Sequence, residues 1–477
     1  MSLQDFELHP DRLSTLDENG KRVFVLPADV RGYFRKQRTK LQAVLILFFL
    51  FLPWIRIGGR QALLLDLANR HFEFFGLSLR AHNAPLLFFV FASLGFGLFF
   101  ATAVFGRVWC GWACPQTVFI DGVFRRIERW IEGPAMARRK LQTAPWTFSK
   151  IRKRVLKWAA YVVATLVLTH SFIAIFVGTG ELGKMMESSP AENKGTFIFM
   201  LFSSVIIFIV FTWFREQFCT IVCPYGRFQS VLMDKDSMVV AYDVQRGEPR
   251  ATSEAKALAK ANQSKLGDCV NCYRCVQVCP TGIDIRRGVQ MECIACTSCI
   301  DACDEVMTKV NKPKGLIRYN TLSGEVKDRN IFRPRVLVYL TLCVGAVTAL
   351  TVSLARVKPV EALVLRAKDA PYTTQASSDG QVIVTNHLKV ELSNQSGADQ
   401  DIEFTLPESL LHVGGQLIIA TQPIHLLDGQ VKQFDVFVRF PQKFLENGKK
   451  VAPLKIHIDK TGLTDLEKPM TLVGPFS

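Results

Sequence analysis

Tyrosine is scarce in this chain of 477 residues, 8 against 36 phenylalanines. So few aromatic hydroxyls suit lipid-facing helices better than a soluble core. Acidic residues are also in deficit, 42 against 58 lysines and arginines, for a formal net charge of +16. Such a balance admits nucleic acid as a partner. Here, however, the basic residues flank long apolar runs, the pattern of positive-inside membrane loops, so no nucleic-acid partner is expected. A strand–GxGxxG–helix unit is missing, which excludes a flavin or nicotinamide site of that kind. Any electrons must then come from an external donor. The first ~40 residues are polar and basic, without the apolar stretch and small-residue site of a cleavable signal.

What is present is cysteine. Twelve of the 13 fall into four tight groups, and Cys343 stands alone. Spacing this close is too short for ordinary disulfide staples and points to metal ligation in a reducing compartment. The strongest pattern is Cys269-x2-Cys272-x2-Cys275-x3-Cys279-Pro280, followed by Cys293-x2-Cys296-x2-Cys299-x3-Cys303. This is the tandem run of bacterial two-cluster ferredoxins, in which the fourth thiolate of each run serves the other cluster. The expected ligand sets are therefore Cys269, Cys272, Cys275 and Cys303 for one [4Fe-4S] cluster, and Cys293, Cys296, Cys299 and Cys279 for the second. Asp304 stands where the first run has Pro280, a departure that touches no ligand. Paired zinc sites are the rival reading, but zinc motifs commonly separate their CxxC pairs by longer spacers.

Five apolar runs approach the ~20 residues that cross a bilayer: about Leu41–Ile57, Ala84–Phe105, Trp158–Gly178, Thr196–Phe214 and Val336–Leu354. Arg31, Arg35, Lys36, Arg38 and Lys40 precede the first. Ten basic residues from Arg125 to Arg154 separate the second from the third, whereas the next connection has only Lys184 and Lys194. The positive-inside rule then places the N-terminus and the second-to-third loop in the cytoplasm. Five crossings leave the chain after Leu354 outside.

The expected organisation is a cytoplasmic segment 1–40, four spanning helices over 41–225, a ferredoxin domain inserted at 226–334, a fifth helix at 335–356 and a β domain at 357–477. In that tail, alternating stretches such as Val382–Val390, Asp401–Leu406 and Val431–Phe440 are separated by turn-rich spots such as Asp428-Gly429, as in an all-β sandwich. A faint repeat links the membrane segments: Cys110-Gly-Trp-Ala-Cys114-Pro115 ends the second and Cys219-Thr-Ile-Val-Cys223-Pro224 the fourth. On a helix, thiols four apart share a face. The proline disfavours helical geometry at Cys114 and Cys223 and suits the first position of a new helix. Four such thiols could bind a soft monovalent copper ion, cycle between dithiol and disulfide, or simply pack. His170 lies inside the third run, where an ionisable residue is a functional candidate or a hydrogen-bonding group. Met185-Met186 and Cys343 read as packing residues.

These motifs resemble the cytochrome oxidase accessory proteins of the FixG/CcoG/RdxA type, membrane polyferredoxins tied to cbb-type oxidase assembly. The likeness is carried by Tyr33-Phe-Arg-Lys, Val108-Trp-Cys-Gly-Trp-Ala-Cys-Pro-Gln, Phe218-Cys-Thr-Ile-Val-Cys-Pro-Tyr-Gly-Arg-Phe-Gln, the tandem run, and Lys312-Pro-Lys-Gly-Leu-Ile-Arg-Tyr. It implies a mixed fold: a five-helix transmembrane bundle, an inserted two-cluster ferredoxin domain and a C-terminal immunoglobulin-like β-sandwich. It also implies a cupric reductase of the bacterial inner membrane, with copper as substrate at Cys110, Cys114, Cys219 and Cys223. Its implied partners are copper chaperones, oxidase subunits or assembly factors, membrane lipid and an unidentified electron donor. A quinol-linked electron relay and an oxidase assembly scaffold stand as alternatives.

Overall fold

The computed structural model describes residues 22–68, 71–79, 84–263, 265–321, 331–356, 360–376, 381–394, 396, 398–458 and 465–475. The expected segment 1–40 therefore lies outside the described residues as far as residue 21. Two units form along the chain, Met1–Thr351 and Val352–Ser477.

In the first unit, apolar runs bounded by charge make helices long and apolar enough to cross a bilayer: Leu86–Phe105, Phe148–Val177, Lys194–Phe214 and Pro334–Ala355. Phe88, Leu94, Val163, Phe202 and Val344 stay exposed on them, as when lipid supplies the apolar surroundings. Local chemistry sets their ends. Thr147 caps the Phe148–Val177 helix by accepting from the Lys150 N–H, and Gly178 ends it at φ 89°. Gly106, at φ 59°, ends the Leu86–Phe105 helix, and a Cβ there would lie 2.0 Å from the Met238 carbonyl oxygen. Both constraints demand glycine at this position.

Four helices, rather than the five expected, meet that length and composition among the described residues. The reason lies in the first apolar run. Its helix, Tyr33–Phe51, starts with Arg35, Lys36, Arg38 and Lys40, and Pro53 turns the chain into a short 3-10 turn, Leu52–Trp54. Short strands follow over Arg56–Leu79. Gln61, on one of them, reaches the far end of the Phe148–Val177 helix, donating to the Ala174 carbonyl at 2.9 Å and accepting from the Thr179 N–H at 3.0 Å.

The cysteine-dense region is bracketed by strands Met238–Tyr242 and Ile317–Thr321, which pair antiparallel from Met238↔Thr321 to Tyr242↔Ile317. Between them lie the short helix Arg274–Gln277 and the helix Ser298–Lys309. The stretch Gly247–Gly267 before the first cysteine carries a helix, Ser253–Ala261. Asp301 docks this region to the Tyr33–Phe51 helix. Its carboxylate accepts from the N–H groups of Phe34 (3.2 Å) and Arg35 (2.6 Å). The first helix thus receives from another element the N-terminal acceptor that its own residues lack.

After the end of the Pro334–Ala355 helix the second unit is mainly β, with one short helix, Glu408–Leu411, and a 3-10 turn, Gln442–Phe444. One antiparallel sheet orders strands Gln416–Ile418, Val431–Pro441, Val382–Asn394 and Val360–Arg366, with Thr373–Ala376 also on Val382–Asn394. The other orders Ile424–Leu426, Gln400–Thr405, Lys449–Ile458 and Leu466–Val473. Alternate residues of both sheets, among them Val384, Val390, Phe440, Phe404, Leu454 and Met470, fill one shared core. The period of two in the sequence is this alternation. Phe440 is fully buried in that core, so Phe440→Ala should destabilise the unit by about 3–5 kcal/mol. Hydrogen exchange should then quicken in Val382–Asn394 and Val431–Pro441, and the iron content of the other unit should not change.

Candidate functional site: two thiol-lined hollows and a pair of membrane-edge motifs

Each cysteine run bends through the same backbone shape. Two and four residues after the first cysteine of each run, the chain turns left-handed: Asn271 and Tyr273 at φ 53° and 56°, Ala295 and Thr297 at 51° and 63°. None is glycine, and such residues are uncommon at positive φ. The alternation turns backbone N–H groups inward as a cradle for negative charge. One of them, from Ala295, bonds the Cys293 thiol.

The two runs enclose two hollows. One is lined by Cys269, Cys272, Cys275 and Cys303, with Tyr242, Met307 and Ile317 among its apolar walls. The other is lined by Cys279, Cys293, Cys296 and Cys299, and Cys275 touches it too. Cys303 lies beside the first run and Cys279 beside the second. Burial pushes the Cys275 and Cys303 thiols up to about 12 and Cys293 to about 11. Thiols so desolvated ionise readily only against a cation. Among the described residues, no three His, Cys, Asp or Glu side chains close on a single ion. Two adjoining all-thiol sets in the tandem ferredoxin spacing fit multi-iron clusters better than tetrahedral zinc. Hydroxyls lie against two of the sulfurs, Thr281 Oγ1 3.3 Å from Cys279 and Ser298 Oγ 3.6 Å from Cys296.

The CxxxCP motifs break as their prolines dictate. Cys114 and Cys223 are extended (ψ 128° and 113°), and Pro115 and Pro224 open new helices, Pro115–Phe119 and Pro224–Leu232. Neither motif is one continuous α-helix: the helix Val108–Trp112 stops before Cys114, and Phe218–Val222 is a π turn. The fold brings the four thiols together, with Cys219 in electrostatic reach of Cys114, Cys110 and Cys223. Gln229 Nε2 donates to Cys110 Sγ at 3.0 Å. Burial pushes Cys110 up to about 12, aided by the neighbouring Cys114.

Residues not singled out from the sequence hold this arrangement. Gly111, inside the first motif, presses on the second cysteine loop: a Cβ there would lie 2.4 Å from the Ile294 oxygen and 2.8 Å from the Cys296 nitrogen. Arg107 donates to the carbonyls of Cys293 and Gly226, both at 3.4 Å. Arg125 pairs with Glu216 (2.6 Å) and Asp121 (2.7 Å), and Glu128 with Arg215 (2.5 Å) and Arg138 (2.8 Å). These pairs tie the helix after the first motif to the residues just before the second. Their signal in the sequence was acidic residues set among the loop arginines. His170 bonds its own helix, Nδ1 lying 2.8 Å from the Leu166 oxygen. Cys343 packs on Gly97, its sulfur 3.8 Å from where a Cβ would sit.

Comparison with known proteins decides the family. Nitrogen fixation protein FixG of Rhizobium meliloti is 35% identical, covering 88% of this chain and 87% of its own length. This chain belongs to the FixG family. Protein RdxA of Cereibacter sphaeroides is likewise 35% identical to this FixG-family chain, over 80% of it and 81% of RdxA. A 4Fe-4S dicluster domain matches residues 214–322 and a 4Fe-4S binding domain residues 86–134. Residues 350–475 match the "IG-like fold at C-terminal of FixG, putative oxidoreductase". The crystal structure of a FixG-related protein from Vibrio parahaemolyticus aligns with 24% of this chain and 97% of its own, at 14% identity and a TM-score of 0.19. The molecule is thus a membrane iron–sulfur electron-transport protein with 4Fe-4S binding domains. The match at 86–134 covers Cys110 and Cys114, so the family's iron–sulfur signature extends over the first membrane-edge motif.

Gly111→Ala tests the seam between motif and loop in this FixG-family protein. The added methyl meets backbone, which cannot rotate away, and such overpacking costs about 1–3 kcal/mol. In the dithionite-reduced protein, the EPR line shape should change while iron content stays at the wild-type level.

Proposed function

We propose that this protein is a membrane-bound cupric reductase, in which Cys110, Cys114, Cys219 and Cys223 receive copper and the two thiol-lined hollows hold the electron-supplying [4Fe-4S] clusters. The observation that carries the reading is the Gly111 contact, which sets the first CxxxCP motif directly on the Ile294–Cys296 backbone. Each cluster, when bound, stores and passes one electron. The protein's part is to hold Cys269, Cys272, Cys275 and Cys303 around one site and Cys279, Cys293, Cys296 and Cys299 around the other. Copper(II) gains one electron and leaves as copper(I), the form that soft thiolates favour. Because the four membrane-edge thiols are gathered but not closed on a single ion, a transient substrate site suits them better than a permanent metal centre.

The proposed placement is the bacterial inner membrane, with the N-terminus and ferredoxin domain in the cytoplasm and the C-terminal β domain in the periplasm. The basic flanks support that orientation. A fifth crossing by the Tyr33–Phe51 helix is supported by its path: Arg38 bonds the Cys296 carbonyl at one end, and Gln61 reaches Ala174 and Thr179 at the other. Copper chaperones and cbb-type oxidase subunits or assembly factors are the proposed partners.

Two experiments follow. With clusters reduced anaerobically, the wild type should convert added copper(II) to chelator-trapped copper(I) as the clusters oxidise. The Cys110/Cys114/Cys219/Cys223→Ser protein should keep its clusters and lose the conversion; equal yields from both would remove these thiols from the route. Separately, Cys303→Ser should impair the cluster of the Cys269 run and spare that of the Cys293 run. Mössbauer and EPR spectra would show one altered cluster beside one normal one, whereas damage confined to the Cys293 run would refute the crossing.

A further inference from the structure

A third cavity, larger than either thiol-lined hollow, lies against the second of them. It holds about 210 Å³ and reaches Cys293. Small-molecule sites commonly combine apolar walls with a few convergent polar groups. Here Met233, Met238 and Val289 supply apolar wall, and Arg107, Ser230 and Gln290 the hydrogen-bonding groups. Nothing in the copper reading uses it.

Its position identifies the ligand class. Gly106, the residue after the Leu86–Phe105 span, lies against the Met238 backbone and the Met233 methyl. Arg335, the second residue of the Pro334–Ala355 helix, donates to the carbonyls of Val231 (3.1 Å) and Met233 (3.2 Å). The cavity wall is therefore bound to the ends of two spanning helices, at the level where lipid gives way to water. The adjoining Pro224–Leu232 helix leaves Phe228 and Val231 exposed, an apolar face beside the cavity at that level. An apolar cavity at the membrane edge, touching a cluster cysteine and edged by an arginine, fits the ring of a lipid-soluble quinol.

We infer that this cavity is a quinol site and that the membrane quinol pool supplies the electrons. The inference rests on the reading of the eight ferredoxin-run thiols as cluster ligands, and not on copper. In the step, both ring O–H bonds break, two protons leave to solvent and the quinol becomes a quinone. Its two electrons reduce the two clusters by one each, entering at the cluster of Cys293. Arg107, with Ser230 and Gln290, orients the ring oxygens.

The test is photolabelling of the full-length protein in detergent with an azido-quinone, followed by peptide mapping. Label should fall in Ser230–Met238 and Val289–Met291 and be displaced by a short-chain quinol but not by phospholipid. Val289 and Met291 are partly exposed, so Val289→Trp or Met291→Trp can fill the cavity from its surface side. Either should cut labelling about tenfold, one decade of affinity. Quinol should reduce the wild-type clusters and fail with the tryptophan variants, while dithionite reduces all of them. Label elsewhere, displacement by phospholipid, or undiminished quinol reduction in both variants would overturn the site. Labelling there without electron transfer would overturn the donor role. The labelling does not depend on the clusters, so a missing dithionite-reduced EPR signal would strike the cluster reading alone.

Discussion

Arg38 is almost wholly shielded from water, held between the carboxylate of Asp121 and the carbonyl of Cys296. Much of the arrangement depends on that single guanidinium. Asp121 belongs to the segment after the first CxxxCP motif, Cys296 to the second cysteine run, and Arg38 to the first helix. A buried arginine must have its charge and its donors met, because leaving either side unpaired is costly. The fixed planar fork of the guanidinium also sets direction as well as distance. The Asp301 carboxylate on the N-terminus of the same helix makes a second joint. Together they seat the ferredoxin region on the membrane helices in one orientation.

That seating makes the remaining geometry useful. With the cysteine loop held, the missing side chain of Gly111 lets a membrane-edge motif approach the Ile294–Cys296 backbone. The pairs Arg125–Glu216 and Arg215–Glu128 then fix the second motif relative to the first. Short separations matter for electron transfer, and these are achieved by close backbone approach and buried ion pairs rather than by large apolar surfaces. The C-terminal β unit has its own core, so its stability owes nothing to this machinery.

The loop arginines show how charge is read one way in one dimension and another in three. As a string, Arg125 to Arg154 is a basic flank that orients the chain across a bilayer. Folded, Arg125 and Arg138 are buried or nearly so, and each lies against carboxylates. Both statements hold at once, since insertion responds to summed charge and folding to individual partners. The first apolar run makes a similar point. Its hydrophobicity marked a span, but Pro53 and the polar start of the helix shape it differently from the other four.

The spacing of the cysteines, the prolines after Cys114 and Cys223, the apolar runs and the period of two in the tail were all readable without a structure. Each is a local rule: ligand reach, a fixed φ, bilayer length, strand pleat. From them came the iron–sulfur domain, the helix breaks, most of the membrane helices and the β strands. Tertiary structure alone decided which distant groups meet. It set Gly111 against Cys296, Arg38 between Asp121 and a cluster loop, Gln229 on the Cys110 sulfur, and an apolar cavity beside Cys293. Most of those contacts join residues more than a hundred positions apart, and no periodicity or spacing encodes them, because they exist only once helices and loops have packed.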